Sequence, residues 1–214
     1  MVILKLISYL SVLTYMLIPK AGFSQALEDS LRAALDGDLV TVQKLLERGN
    51  SPDSSDADGN TLLMLAARSG HLKTVEFLVA RKASVNRKSK VGDTALMAAS
   101  LKGHIDVARL LLENGAELNP AGWTPLHYAA FEGRTAMVTF LLGKGADKNG
   151  LGPNQFSALM LAVRGAHEDT ARTILYADPD VRHRTSKGET ALKLAVEKGY
   201  GPVVDLLKRA GAVE

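Results

Sequence analysis

Two stretches of the chain hold residue types that bind metal ions. The segment Asp53-Ser-Ser-Asp-Ala-Asp-Gly59 has the acidic spacing of a calcium loop, with Asp56 and Asp58 at its third and fifth positions. Ser54 then occupies the first position and Leu65 the twelfth, so the bidentate carboxylate that calcium requires is missing. A turn rich in Asp and Gly is the interpretation that fits.

The second stretch is His167-Glu168, which could begin the zinc motif His-Glu-x-x-His. The second histidine of that motif would stand at position 171, where the chain has Ala171. Two histidines one turn apart are needed to hold zinc on a helix, so the motif fails.

No other pattern indicates catalysis. The chain has no Cys, which excludes thiol chemistry and disulfides. It has no phosphate loop, dinucleotide fingerprint or nucleophile elbow, and its carboxylates are scattered along predicted exposed helix faces. We predict a protein that is not an enzyme and that has no cofactor and no metal site.

A repeated helix–turn–helix unit must position whatever function remains. Hydroxyl residues that can cap a helix recur 33, 30, 33 and 33 residues apart, and nine residues after each comes a small residue that can end it. The caps are Thr61, Thr94, Thr124, Ser157 and Thr190, and the small residues are Gly70, Gly103, Gly133, Ala166 and Gly199. Ala-Ala or Ala-Val pairs lie in each first helix, and clusters of large apolar residues lie in each second helix.

The unit resembles the ankyrin repeat, and residues 121–146 match it best, with Thr124-Pro125-Leu126-His127 intact. The resemblance implies an all-α solenoid in which projecting connections, here called fingers, join successive repeats. It covers roughly residues 27–214. The predicted ankyrin-repeat domain, 25–214, has about six repeats including the two end caps, at 26–55, 56–88, 89–118, 119–151, 152–184 and 185–214.

The histidines fit this pattern as structural residues. His71, His104 and His167 share one position at the start of the second helix, and the resemblance implies that His127 hydrogen-bonds Thr124 and neighbouring backbone. Only His183, on a finger between two arginines, lies outside a structural position.

The ends and two interior segments depart from the repeat. Lys44 and Lys208 stand where interior repeats are apolar, as the uncovered ends of a solenoid require. The connection from Asn119 to Thr124 is three residues shorter than its counterparts, which predicts a gap in the row of fingers. Repeat five has Gln155 in the usual Gly position, so we expect it to be the least regular.

Residues 1–24 differ from the rest of the chain. Lys5 precedes the apolar run Leu6–Ile18, which is shorter than the about 20 residues of a membrane-spanning helix. A secretory signal peptide is the prediction, with cleavage after Ser24 or Ala26. The alternative is a retained signal anchor. Exported ankyrin-like chains are best known from bacterial envelopes, so the resemblance implies a location in the periplasm. The mature chain is predicted to make no membrane contact after cleavage.

Charge gives no argument for nucleic acid. The formal net charge is +3, and removal of the signal segment with its two lysines lowers it to +1. We therefore predict no nucleic-acid partner. The chain is predicted to be a monomer that binds another protein.

The resemblance implies that finger tips and the exposed ends of the first helices bind the partner. These positions are normally polar in an ankyrin array that does not use them for binding. Here several of them are apolar, and basic residues surround them. The predicted partner-binding residues are Lys90, Val91, Leu101, Lys102, Trp123, Phe131, Phe156 and Arg164.

We hypothesise that Leu101, Trp123, Phe131 and Phe156 form one pocket on the concave side. The alternative for Trp123 is that the shortened finger tucks its ring against a neighbouring repeat to cover backbone.

The predicted function is thus protein binding in the cell envelope. An inhibitor or effector acting outside the producing cell is one alternative, and a small enzyme or metal protein using His183 is another.

Overall fold

The structure is a computed structural model that describes the backbone of residues 20–213 and the side chains of residues 25–213. Most of the predicted signal peptide, 1–24, and the last residue, 214, lie outside the described residues.

Hydroxyl caps start the first helix of repeats two to six. In each of the five, the cap side chain accepts a hydrogen bond from the backbone N–H three residues later, as Thr61 does from Met64 at 3.2 Å and Thr190 from Lys193 at 3.0 Å. This bond satisfies one of the N–H groups that a helix start leaves without a partner. The predicted caps are therefore confirmed.

Residues 20–213 form twelve helices in six consecutive pairs. They are α1 (Lys20–Asp36) and α2 (Leu39–Glu47), α3 (Leu62–Ser69) and α4 (Leu72–Ala80), α5 (Ala95–Lys102) and α6 (Ile105–Glu113), α7 (Pro125–Phe131) and α8 (Thr135–Gly143), α9 (Ala158–Arg164) and α10 (Glu168–Tyr176), and α11 (Ala191–Glu197) and α12 (Gly201–Arg209). Each first helix packs on the first helices of the neighbouring repeats, and each second helix does the same. The predicted all-α solenoid is confirmed.

The core runs through the whole array. Small residues of the first helices, such as Ala66 and Ala129, are fully buried, as are Leu78 and Leu111 of the second helices. Small side chains let neighbouring helix axes come close, and the larger ones fill the space between layers. Lys44 and Lys208 are exposed, as predicted for the two end repeats.

Four fingers share one hydrogen-bonding pattern. The residue at the base of each finger donates its N–H to the carbonyl four residues later, at Asp56–Asn60, Ser89–Asp93, Gly152–Phe156 and Thr185–Glu189. Among the backbone hydrogen bonds of the described residues, none closes residues 119–124 in this way. The shortened finger predicted there is a bent turn.

Side-chain hydrogen bonds join the loops that follow the second helices of successive repeats. Asp53 accepts from the Ser84 N–H at 2.7 Å, and the Asn86, Asn119 and Asn149 side chains accept from backbone N–H groups of the following repeat at 2.8–2.9 Å. The acidic stretch around Asp53 is therefore structural. Asp56 also caps its own finger by accepting from the N–H groups of Asp58 and Asn60.

Repeat five keeps the regular path of the chain but accepts unfavourable backbone conformations. Of the four non-glycine residues with positive φ in the described part of the chain, it holds three: Gln155, Ala166 and Asp178. Other repeats have glycine at the position of Ala166. The irregularity predicted for repeat five is present as backbone strain.

No helix among the described residues is long and apolar enough to span a membrane.

Candidate partner-binding surface

The ends of the first helices form one row of side chains along the array, here called the terminal row. In repeats two to six each member lies seven residues after a cap, so the repeat spacing brings equivalent side chains side by side on packed helices. The row consists of Leu35, Arg68, Leu101, Phe131, Arg164 and Glu197. Leu35 is 44% and Phe131 50% exposed, whereas Leu101 is half-buried.

Inter-repeat hydrogen bonds fix the backbone of four of the six residues of this row. The Nε2 atoms of His71, His104 and His167 lie 2.9–3.1 Å from the carbonyl oxygens of Leu35, Arg68 and Phe131. In repeat four the same position is Arg134, whose Nε donates to the Leu101 carbonyl at 3.1 Å. The structural position predicted for the three histidines is confirmed, and we call these four bonds the staples.

Glycines make room for the imidazole staples. A Cβ on Gly70 would lie 2.5 Å from the His104 ring, and a Cβ on Gly133 would lie 2.4 Å from the His167 ring. Both glycines also have positive φ, so they are needed for conformation and for space.

The basic finger of repeat three carries two of the predicted partner-binding residues. Val91 is 82% exposed at its tip, and Lys90 beside it is exposed. The N–H of Lys90 donates to the Asp58 carbonyl at 2.9 Å, which ties this finger to the finger of repeat two. Lys102, at the end of α5, is exposed next to Leu101.

Trp123 is half-buried and packs on its own repeat. Its ring centroid lies 5.7 Å from that of His127 and 5.4 Å from that of Tyr128. A Cβ on Gly152 of the next finger would lie 3.9 Å from Trp123 Cε2. The ring therefore packs beside the shortened turn, mainly on residues of its own repeat. The role of Trp123 in partner binding stays a prediction.

The prediction that Phe156 lies on the exposed binding surface is wrong. The side chain is buried and only 5% exposed. Its position at the finger base is occupied by half-buried polar residues in other repeats, such as Asn60 and Asp93. An aromatic side chain in that position gains by turning inward. The Arg164 guanidinium lies over its ring at 5.3 Å.

The structure does not bring the four hypothesised pocket residues together. Leu101 lines a groove of about 170 Å³ with Arg68 and Tyr128, whereas Phe156 and Arg164 line another, of about 350 Å³, between the last two fingers. Phe131 remains exposed on the terminal row between Leu101 and Arg164. The surface is thus a row with grooves and not one pocket.

Tyr128 is a groove residue that the sequence reasoning missed. Its hydroxyl donates to the Asp93 carboxylate. Burial, followed by the hydrogen bond to Asp93, holds the pKa of Tyr128 well above its usual range. The available signal was a tyrosine in a position where other repeats have Leu65, Ala98 or Leu161.

His127 has the structural role implied by the resemblance. It is buried, its Nδ1 accepts from the Thr124 N–H at 3.2 Å, and its Nε2 donates to the Phe156 carbonyl at 3.2 Å. Burial lowers the pKa of His127, which favours the neutral ring that both bonds require.

His183 also makes a structural contact, contrary to its interpretation as the histidine without one. Its Nε2 lies 2.7 Å from the Gln155 carbonyl oxygen, which links the fingers of repeats five and six. Within residues 25–213, no group of three His, Cys, Asp or Glu side chains is placed to hold a metal ion.

Comparisons with known proteins agree with this architecture. Residues 31–121, 82–151 and 117–185 match the family described as Ankyrin repeats (3 copies). A crystal structure of the human ASB11 ankyrin repeat domain superposes with a TM-score of 0.79 at 24% sequence identity, covering 86% of this chain and 84% of that one.

Relatives share only part of their length with the chain. An ankyrin repeat-containing protein of Treponema pallidum (strain Nichols) is 37% identical over 99 residues, which are 45% of this chain and 33% of that protein. The human Transient receptor potential cation channel subfamily A member 1 is 30% identical over 97 residues, 45% of this chain and 9% of the channel. Ankyrin repeats are protein-interaction modules and typically non-enzymatic scaffolds. The family match covers well over half of the residues, and the chain belongs to the ankyrin-repeat family.

Proposed function

We propose that the chain is an exported interaction module of the bacterial cell envelope, which acts as a non-enzymatic monomer in the periplasm and binds a partner protein on its concave side. The observation that carries the proposal is Phe131, a half-exposed aromatic side chain at the centre of the terminal row. An exposed aromatic side chain on a rigid surface is typical of an interface anchor. The basic residues around it supply a charged rim.

The predicted signal peptide supports the location. Lys5, the apolar run to Ile18 and the small residues near Ser24 follow the order of a secretory signal. The first repeat favours cleavage after Ser24, because the Ala26 carbonyl accepts hydrogen bonds from Ser30 Oγ at 2.8 Å and Asn50 Nδ2 at 3.3 Å. Cleavage after Ala26 would remove both bonds.

N-terminal mass mapping of protein recovered from its native compartment tests the location. We expect a mature chain that begins at Gln25 in the periplasmic fraction. Recovery of a chain that still begins at Met1 in the membrane fraction would contradict export with cleavage.

Photo-crosslinking tests the binding surface. A photoreactive amino acid is placed at Phe131 and, in a matched control, at Tyr176, which is 79% exposed on the second helix α10. We expect a defined protein adduct from position 131 in the periplasmic fraction and none from position 176. Equal adducts from both positions would contradict the proposal, and an adduct formed only outside the cell would favour an inhibitor or effector.

A further inference from the structure

The order of side chains along the terminal row carries information about the partner. Leu101 and Phe131 are neighbours at the centre, and Arg68 and Arg164 stand on either side of them. The two arginines are exposed, so the row presents a cation, two apolar groups and a second cation in sequence.

Staples fix the backbone of three of these four residues before any partner arrives. The carbonyl groups of Arg68, Leu101 and Phe131 each receive a hydrogen bond from the following repeat, at 3.1, 3.1 and 2.9 Å. A surface whose backbone is fixed in advance loses little conformational entropy on binding. The spacing of the row is therefore a constraint that a partner has to match.

The groove beside Leu101 is suited to an apolar side chain. Its walls include Met64, Leu65 and Met97, and its volume is about 170 Å³, several times the about 30 Å³ that one water occupies in the liquid. Two of its polar side chains already have partners, since Asp93 accepts from Tyr128 and Asn60 donates to Asp56.

The charge around the row selects an acidic partner. Lys88, Lys90 and Lys102 are exposed near its centre. Of the nearby acids, Glu132 is 3.5 Å from Arg134 in an ion pair, Asp93 is bonded to Tyr128, and Asp58 is exposed on the finger next to Lys90. Complementary charge across an interface raises the association rate and rejects partners of the wrong sign. Glu197, which ends the row, repels an acidic chain that runs past Arg164.

The repeat spacing favours an extended partner. Neighbouring packed helices lie about 8–10 Å apart, and a polyproline II segment advances about 9 Å in one turn of three residues. Every third side chain of such a segment therefore meets the next member of the row. Repeat arrays curve because successive repeats are rotated, and an extended chain follows that curve more easily than a straight helix.

We propose, on the basis of the proposed binding function, that the partner presents an extended segment of the pattern acid-x-x-apolar-x-x-apolar-x-x-acid. Its two carboxylates bind Arg68 and Arg164, one apolar side chain enters the groove beside Leu101, and the other packs on Phe131.

Defined peptides on the purified chain from Gln25 onward test the pattern. The probe is the blocked peptide Glu-Ser-Pro-Leu-Ser-Pro-Leu-Ser-Pro-Glu, in which proline favours the extended conformation. Its control, Leu-Ser-Pro-Glu-Ser-Pro-Glu-Ser-Pro-Leu, has the same composition and charge in the wrong order. Titration followed by amide chemical shifts and calorimetry should show that the first peptide binds about tenfold more tightly, with shifts at the terminal row.

Charge reversal on the protein supplies the second arm. The double variant Arg68→Glu/Arg164→Glu should lose the acidic peptide and instead bind Lys-Ser-Pro-Leu-Ser-Pro-Leu-Ser-Pro-Lys. The matched control Arg48→Glu/Lys73→Glu changes two exposed residues associated with second helices and should leave the preference unchanged. Melting temperatures of all variants are measured alongside.

Three results would overturn the pattern: equal binding of the two peptide orders, no reversal of preference in the arginine double variant, or binding only by a helical peptide with the same groups seven residues apart. Should crosslinking at position 131 still capture a periplasmic protein, the proposed function stands without this partner chemistry. Should position 131 capture nothing while the peptide binds, the pattern stands and the cellular proposal fails.

Discussion

At the scale of single residues, the side chains with the richest chemistry are the ones with the clearest structural tasks. His127 is buried with both ring nitrogens bonded, and three other histidines bond the carbonyls of the preceding repeat. The residue at the centre of the proposed binding surface, Phe131, has little chemistry of its own.

His127 makes stability depend on pH. Burial lowers its pKa below the ordinary value of 6.5, so the unfolded chain binds the proton more readily than the folded one. Its stabilising contribution is complete above about pH 6.5 and is lost as the pH falls below that value. We expect urea titrations to show a falling free energy of unfolding in that direction.

His127→Met is the comparison for this prediction, because Met64 and Met97 occupy the same position in repeats two and three and receive the cap N–H at 3.4 Å. The variant should lose this part of the pH dependence. An identical pH profile in both proteins would contradict the assignment to His127.

Trp123 and Phe131 should separate stability from binding. Trp123→Ala removes a ring that packs on His127 and Tyr128, so it should cost roughly 2 kcal/mol of unfolding free energy. Phe131→Ala, at a half-exposed position, should change stability by less than about 0.5 kcal/mol and weaken partner binding about tenfold or more. Thermal melts and affinity measurements on both variants decide. Unchanged melting with lost binding for Trp123→Ala would place that ring on the binding surface.

At the scale of elements, the helices were predictable and the path of some side chains was not. Cap hydroxyls, small stop residues and the apolar clusters recur with the repeat, so helix pairs and end caps follow from local rules. Phe156 was misplaced because its burial depends on the space at the base of its finger and on the Arg164 guanidinium above its ring. The repeat pattern of residue types does not specify those contacts.

The turn of repeat five offers a stabilising substitution. Ala166 has φ 64°, a left-handed conformation that costs a non-glycine residue about 1–2 kcal/mol. Glycine loses part of that gain through its greater freedom when unfolded. Ala166→Gly should therefore raise the free energy of unfolding by roughly 0.5–1 kcal/mol.

Gly199→Ala is the matched control in the opposite direction. Gly199 has φ 71°, and no atom lies within 4 Å of the position that an alanine Cβ would occupy there. The substitution therefore changes the conformational preference of the backbone without a clash. It should lower stability by a similar amount in the same denaturant titration. Stabilisation by both substitutions would show that the backbone argument is wrong.

At the scale of the whole molecule, stability is shared between neighbours along the array. Middle repeats are covered on both sides and end repeats on one. The same kind of substitution therefore has different consequences at different places, and the described core gives specific sites to compare.

Leu111 and Lys44 test the position of the layers. Leu111 is fully buried in α6, so Leu111→Ala should cost roughly 2–5 kcal/mol. Lys44 is exposed on α2, so Lys44→Ala should change stability by less than about 0.5 kcal/mol. Equal costs in denaturant titrations would mean that the layers are assigned wrongly.

Hydrogen exchange should reveal a weaker end. Tyr200 stands in the staple position of repeat six, and among the described hydrogen bonds it makes none to the Arg164 carbonyl; repeat five also carries three strained residues. Amides of α11 and α12 should therefore exchange faster than those of α5 and α6. Uniform protection along residues 25–213, or fastest exchange in α1 and α2, would contradict this expectation.

The direction of the staples also sets the order in which the repeats can be joined during synthesis. Each staple reaches back to the preceding repeat, as from His71 to Leu35 and from His104 to Arg68, which are 36 residues apart. A chain made from its N-terminus produces every carbonyl acceptor about one repeat before its donor. A repeat can therefore receive its staple only after the next repeat has been synthesised. A truncated chain leaves its last repeat without a staple.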